Sequence, residues 1–311
     1  MVRNFLDVGD LSCGDLDAVL GAAALPLPEL PRAMEGCSAA LVFEKPSLRT
    51  RNAAEMAVVA LGGHPVYIQD SEVGIAKREE PEDIAMVLAE YHSAICARVM
   101  RHETLERMAQ ALDGYEPHVG RREEVPVVNL LSDLSHPSQA VADMLTIQQT
   151  VGGPEGKVLA YIGDANNVCR SLMEIGAMKG MRLRAASPPG YGLDPDDLER
   201  IGRLGGEVEV TTDPAEAAAG ADVIYTDVWT SMGDEGEAEI RREVFKGYTV
   251  DEELLGSAGR DAVVMHCLPA HRGEEITGGV LNGPQSVAFR QAGNRLPAVA
   301  AILLWTFGAI G

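Results

Sequence analysis

The sequence predicts an α/β protein: two doubly wound parallel-sheet domains joined by a long helix, with a C-terminal helix packing back on the first domain. Three observations carry that expectation. Apolar, strand-like runs alternate with helix-forming segments along the whole chain, which is the pattern of a parallel sheet covered on both faces. The 311 residues suffice for two compact domains of about 150 residues each. Polar groups cluster where the apolar runs end, at the carboxyl ends of the strands, where this architecture places its chemistry. We expect a first domain over residues 1–136, rejoined by a C-terminal helix over 295–311, a linking helix over 137–151, and a second domain over 152–294.

The elements follow in order. Leu11, Leu16, Val19 and Leu20 recur at helical spacing over residues 9 to 24, with Asp10 and Ser12 as caps. Ala39 to Phe43 reads as a buried strand, Pro46 marks a break, and Asn52 to Ala57 continues as a strong helix former. A strand at Pro65–Ile68, a polar loop from Gln69 to Pro81 and a helix from Glu82 to Tyr91 come next. A strand ending on Arg98, a helix from Glu103 to Leu112 and a short strand at Pro126–Leu130 complete the first half. The linking helix sets Val141, Met144, Leu145 and Ile147 on one side. The second half repeats the alternation, with strands at Lys157–Ile162, Arg182–Ala186, Glu207–Val210, Asp222–Thr226 and Ala262–His266. The terminal helix, from about Leu296 to Phe307, is apolar on most sides and should pack into protein.

Composition narrows the partners. The net charge of -21 would repel nucleic acid and anionic membranes. There are 21 Arg against 5 Lys, and acidic runs such as Glu79-Glu80-Pro81-Glu82-Asp83 and Asp194-Pro195-Asp196-Asp197 fall on helix faces and loops. A salt-adapted surface and an ordinary solvated acidic one both fit that pattern. No run approaches the roughly 20 apolar residues of a membrane span, and Met1-Val2-Arg3-Asn4-Phe5 is no signal peptide, so a cytoplasmic protein is expected. The five cysteines are odd in number and widely spaced, which argues against disulfides and a structural zinc.

The most informative stretch is Glu44-Lys45-Pro46-Ser47-Leu48-Arg49-Thr50-Arg51, where a strand ends and a helix begins. Ser47 and Thr50 supply hydroxyls, the first helical turn supplies unpaired N–H groups, and Arg49 and Arg51 supply guanidinium forks. Two arginines in a first turn oppose the helix dipole and call for a negative partner, so the stretch reads as an anion site, most simply for a phosphate. The turn after the first strand of the second half, Gly163-Asp164-Ala165-Asn166-Asn167, lacks the further glycines of a dinucleotide fingerprint. Gly152-Gly153-Pro154-Glu155-Gly156-Lys157 precedes a strand instead of following one, unlike a Walker loop.

Other polar residues at strand ends are Arg98, His136 to Gln139, Asn167, Asp227 with Ser231-Met232-Gly233, His266-Cys267-Leu268-Pro269 and Arg295. Together with Phe43 to Arg51, and in this order, they resemble the motifs of the aspartate/ornithine carbamoyltransferase superfamily, closest to its ornithine branch. The resemblance spans nearly the whole chain. It implies that Ser47, the Leu48 backbone, Arg49 and Thr50 bind the phosphate of carbamoyl phosphate, that Arg98, His136 and Gln139 hold the carbamoyl group, and that Arg295 closes over the ligand. It assigns ornithine to Asn167, Asp227, Ser231 and Met232, and sets Cys267 and Leu268 where the two substrates meet. It further implies no metal or organic cofactor, and a homotrimer or an assembly of trimers.

Two departures from the family pattern stand out. Leu48 occupies a position usually held by Thr, and Gly74 replaces a common Gln in the loop Glu72 to Glu79. That loop carries Lys77, which is similar to the loop lysine of aspartate carbamoyltransferases, so another amine such as aspartate is the rival substrate. A non-catalytic anion-binding relative is the rival of another class, opposed by the intact motifs in both halves.

Overall fold

In the computed structural model, residues 3–119, 124–230 and 235–311 are described. The chain divides into two compact units, Met1–Ala142 with Asn294–Gly311, and Asp143–Gly293.

In the first unit the described strands β1 (Ser38–Phe43), β2 (His64–Gln69), β3 (Ala94–Arg98) and β4 (Val127–Leu131) form a sheet in the order β2-β1-β3-β4, all parallel. β1 and β3 lie in the middle and are buried along almost their whole length, as expected for strands covered on both faces. The helices are α1 (Cys13–Ala23), α2 (Leu48–Ala60), α3 (Asp70–Val73), α4 (Pro81–Tyr91) and α5 (His102–Ala111). Ser12 caps α1 in a reciprocal capping box with Asp15. The polar loop expected after Gln69 instead starts with α3, which has its own capping box between Gln69 and Glu72. The acidic run before α4 has a structural use, because Pro81 opens the helix, Glu82 and Asp83 favour its dipole, and Glu80 and Glu82 both pair with Arg107.

α6 (Pro137–Val151) begins in the first unit and ends in the second. It differs from the expected one-sided helix. Residues 137–147 are buried on every side, including Ser138, Gln139, Asp143 and Thr146.

In the second unit β5 (Val158–Ile162), β6 (Arg182–Ala186), β7 (Val208–Thr211), β8 (Val223–Thr226) and β9 (Val263–His266) form a parallel sheet in the order β7-β6-β5-β8-β9. Its helices are α7 (Asn167–Met178), α8 (Pro195–Arg203), α9 (Pro214–Ala218), α10 (Ala238–Val244), α11 (Glu252–Ser257) and α12 (Gly278–Leu281). The acidic run at Asp194 is again structural. Asp194 caps α8 in a box with Asp197, and Asp197 is buried against Arg170. The core gathers Val158, Ala160, Ile162, Ile224, Trp229, Phe245 and Val264.

The last helix, α13 (Ala288–Thr306), starts eight residues earlier than expected. Pro297 lies inside the helix, where it lacks an N–H to bond the residue four positions before it. The C-terminal part of α13 packs on the N-terminal segment of the first unit. Trp305 meets Phe5 edge-on at 6.3 Å between ring centroids, and its Nε1 donates to Asp15 Oδ1 at 2.9 Å.

Both strand orders reverse direction at one place. After β1 the first sheet grows outward to β2 and then returns to β3, so its switch point lies between β1 and β3. The second sheet switches between β5 and β8. Ligand crevices of open α/β sheets lie at such points, beyond the carboxyl ends of the strands.

Candidate active site

The first switch point is occupied by the stretch from Glu44 to Arg51. Ser47 is the N-cap of α2, its Oγ accepting from Thr50 N at 3.3 Å. Thr50 is buried, and its hydroxyl oxygen accepts from Arg295 Nη2 at 2.6 Å, with Arg98 Nη1 at 3.5 Å and Ser47 Oγ at 3.1 Å. Arg98 is the last residue of β3, and Glu44 N donates to its carbonyl at 2.9 Å. Glu44 Oε2 accepts from Met100 N, tying the segments after β1 and β3 together. Arg49 is half-buried, and among the described residues its Nε is buried with no hydrogen-bond partner. An enclosed guanidinium N–H with nothing to donate to is costly, so the pocket is prepared for an acceptor.

His136 and Gln139, at the start of α6, are buried beside this cluster. Burial, then the positive charges of Arg295, Arg98 and Arg49, push the His136 imidazole well below the usual histidine range. The ring is therefore neutral at pH 7. One ring nitrogen of a neutral imidazole donates while the other accepts. Gln139 N donates to the His136 carbonyl at 3.0 Å as the helix begins.

One expectation for this stretch changes. Arg51 does not share the anion pocket. It pairs with Glu55 at 2.7 Å and lies 3.7 Å above the centre of the Tyr67 ring, so the local sequence already supplies its negative and aromatic partners. The Leu48 side chain is 76% exposed. Lys77 is also exposed, paired with Asp70 at 3.3 Å.

In the second unit, Gly163 after β5 adopts φ +130, a conformation that favours glycine, and turns the chain into Asp164 to Asn166. Asn166 caps α7, its Oδ1 accepting from Val168 N at 2.9 Å and Cys169 N at 3.2 Å. Its Nδ2 donates to Asp227 Oδ2 at 3.0 Å. Asn166 was not among the sequence candidates. The signal was present, since the first Asn of Asn166-Asn167 precedes the apolar helical run and is the natural cap, which leaves Asn167 as the first helical residue.

Asp227, beyond β8, is buried, and its Oδ1 accepts from Cys267 Sγ at 2.9 Å. Cys267 follows β9 and is buried too. Leu268 adopts φ +59, a strained backbone conformation for a residue with a Cβ, and its N–H donates to His266 Nδ1 at 2.8 Å. Because Nδ1 accepts, Nε2 carries the proton and donates to the buried Glu275 at 3.1 Å. Asp227, His266 and Cys267 lie close enough to hold a metal ion, but both ring nitrogens of His266 are committed elsewhere. Arg241 anchors the segment after Asp227, donating to Asp164 Oδ2 at 2.8 Å and to the Trp229 carbonyl at 2.9 Å. Ser231 and Met232 lie outside the described residues.

The structure thus brings Ser47, Thr50, Arg98, His136 and Arg295 together in the first unit, and Asp227 and Cys267 together in the second. A cationic pocket at one switch point and a carboxylate–thiol pair at the other define a two-domain α/β enzyme with a polar site in each half.

Sequence comparison names the family. Residues 3–149 match the carbamoyl-P binding domain of aspartate/ornithine carbamoyltransferase and residues 155–306 match its Asp/Orn binding domain, so the chain belongs to the aspartate/ornithine carbamoyltransferase family. The chain is 47% identical to an ornithine carbamoyltransferase of Acidothermus cellulolyticus, over 100% of this chain and 98% of the relative. Among solved structures, the ornithine carbamoyltransferase of Pyrococcus furiosus superposes with a TM-score of 0.90 at 40% identity, covering 99% of this chain and 98% of that one. That of Thermus thermophilus gives 0.86 at 42% identity, covering 99% of both chains.

Proposed function

We propose that this chain transfers the carbamoyl group of carbamoyl phosphate to the δ-amine of L-ornithine, giving L-citrulline and phosphate. The observation that carries this reading is the neutral, buried His136 set among Arg49, Arg98 and Arg295 around the Thr50 hydroxyl. Such a pocket suits a small dianion whose carbonyl oxygen becomes negative during reaction. Forked cations hold the phosphate, and preorganised donors face the developing charge.

In this reading Ser47, the Leu48 N–H, Arg49 and Thr50 hold the phosphate, Arg98, His136 and Gln139 hold the carbamoyl group, and Arg295 closes over it. Asn167, Asp227, Ser231 and Met232 hold ornithine, and Cys267 and Leu268 line the reacting end. The free δ-amine attacks the carbamoyl carbon, the carbonyl becomes a tetrahedral oxyanion, and its collapse breaks the C–O bond to phosphate. The departing phosphate takes the proton that the amine loses, so no protein base is required. Alignment of the two substrates supplies much of the acceleration. The reaction needs no metal or organic cofactor.

The buried Asp227 carboxylate favours a cationic amine over aspartate, whose second carboxylate it would repel. We take residues 1–136 with 295–311 as the carbamoyl-phosphate domain, 137–151 as the linking helix and 152–294 as the ornithine domain. A cytoplasmic place in arginine metabolism suits the substrates, and no helix among the described residues is long and apolar enough to cross a membrane. A homotrimer, or an assembly of trimers, is supported by the exposed Leu48, Met56 and Val59 on one face of α2, an apolar stripe that a second copy would cover.

The test offers purified protein carbamoyl phosphate with ornithine, N-acetylornithine or aspartate in turn and identifies the ureido product by mass spectrometry. Citrulline with ornithine is expected. Carbamoyl-aspartate as the main product, or no ureido product at all, would overturn the assignment.

A further inference from the structure

β9 is the outer strand of the second sheet, with β8 on one side only. Along its other edge Val264 N donates to the Gln285 carbonyl at 2.8 Å, and the Val264 carbonyl accepts from Val287 N at 2.9 Å. Groups facing one edge recur every second residue, so the next donor on that edge is His266 N. It finds a side chain there. Gln291 Oε1 accepts from His266 N at 2.9 Å.

The rest of the Gln291 amide is also engaged. Nε2 donates to Asp143 Oδ1 at 2.7 Å and to the Tyr225 hydroxyl at 3.0 Å, and that hydroxyl donates to Asp143 Oδ2 at 2.9 Å. Gln291, Asp143 and Tyr225 are completely buried. Burial and the nearby Asp143 charge hold the Tyr225 phenol well above its usual range, so it stays protonated and keeps its proton for Asp143. A fully engaged polar network of this kind is rigid, and losing one member leaves the others buried without partners.

One side chain therefore grips the last residue of β9 and, through Tyr225, a point on β8 two residues before Asp227. Thr226 and His266 are the final pair in register between these strands. The residues immediately beyond that pair are Asp227 and Cys267, joined by the thiol–carboxylate hydrogen bond. We infer that Gln291 is a positioning residue for the ornithine half-site, fixing how the ends of β8 and β9 present Asp227 and Cys267. The inference rests on the ornithine reading of that pair. Gln291 is completely buried and acts through the two strand ends.

The test uses the purified full chain, its Gln291→Met variant, which keeps the length and removes the amide, and Tyr225→Phe, which removes one arm. Three quantities are measured: the KM for ornithine, the calorimetric Kd for carbamoyl phosphate, and the rate at which iodoacetamide alkylates Cys267, read by peptide mass spectrometry. Gln291→Met should raise the ornithine KM roughly ten-fold, equivalent to about 1.4 kcal/mol of lost ornithine binding. Carbamoyl phosphate affinity should stay within about two-fold, because the side chains assigned to it make no hydrogen bond to Gln291. Cys267, released from Asp227, should be alkylated faster. Tyr225→Phe should move the KM and the alkylation rate in the same direction by less, and it decides the matter if Gln291→Met fails to fold. Wild-type KM and alkylation rate in the folded variants would overturn the inference, as would an equal loss of affinity for both substrates. If the wild-type protein does not use ornithine, the substrate reading fails, while Cys267 alkylation still decides whether Gln291 positions the pair.

Discussion

Protonation of His136 gives the sharpest test of the first half-site. Its folded-state pKa lies well below the ordinary value of 6.5, chiefly through burial and then through Arg295, Arg98 and Arg49. Between those two values the unfolded chain binds a proton that the native protein refuses, so stability falls as pH drops through 6.5 and is unaffected above it. At pH 5.5, one unit below the unfolded value, the loss from this residue is on the order of 1 kcal/mol, and it fades as pH rises above 7. Urea unfolding at both pH values, in wild type and in His136→Gln, isolates the contribution. Trp305 reports on the first unit if Trp229 is replaced by Phe in both backgrounds. The wild type should lose more than His136→Gln on acidification, by on the order of 1 kcal/mol. Equal losses would mean that His136 is protonated in the native pocket, and the neutral-imidazole account would be wrong.

Three further outcomes are expected. Thr50→Val removes one acceptor of the buried Arg295 guanidinium and should cost about 1.5–3 kcal/mol of stability without ligand; saturating phosphate should restore part of the lost melting temperature by accepting from that donor, as thermal scans with and without phosphate will read. Leu48→Thr changes an exposed side chain, and if that position contributes only its N–H, calorimetry should find the carbamoyl phosphate Kd within about two-fold of wild type. Burial pushes the Cys96 thiol up to about 12, so iodoacetamide at pH 8 should label the exposed Cys13 and leave Cys96 unmodified in the folded protein.

Much of this molecule is legible in the sequence, because its signals are local. Ser47 before a helix-forming run, and Val158 to Ile162 as an unbroken apolar strand, follow from capping and burial. The alternation that carries both sheets, and the position of polar residues just beyond the strands, have the same origin. What escapes is set by distant partners. Arg51 looks like a second anion ligand until Tyr67, sixteen residues on, takes its face. The terminal helix begins at Ala288, ahead of the apolar run that marks it in sequence. Gln291 is an ordinary polar residue in sequence, and only the fold brings His266, Tyr225 and Asp143 to its amide. Leu48 is the converse case. It reads as a departure in the motif, yet its side chain is exposed in the single chain.

The most direct test of the central claim follows the carbamoyl carbon itself. Carbamoyl phosphate labelled with carbon-13 is mixed with ornithine and the protein, and the carbon and phosphorus NMR spectra are recorded through the reaction. Carbamoyl transfer predicts that the label appears as the ureido carbon of citrulline, with one phosphate released per citrulline formed, and that Arg49→Ala slows both signals together. Phosphate released without citrulline, with the label passing to carbonate or cyanate, would contradict it.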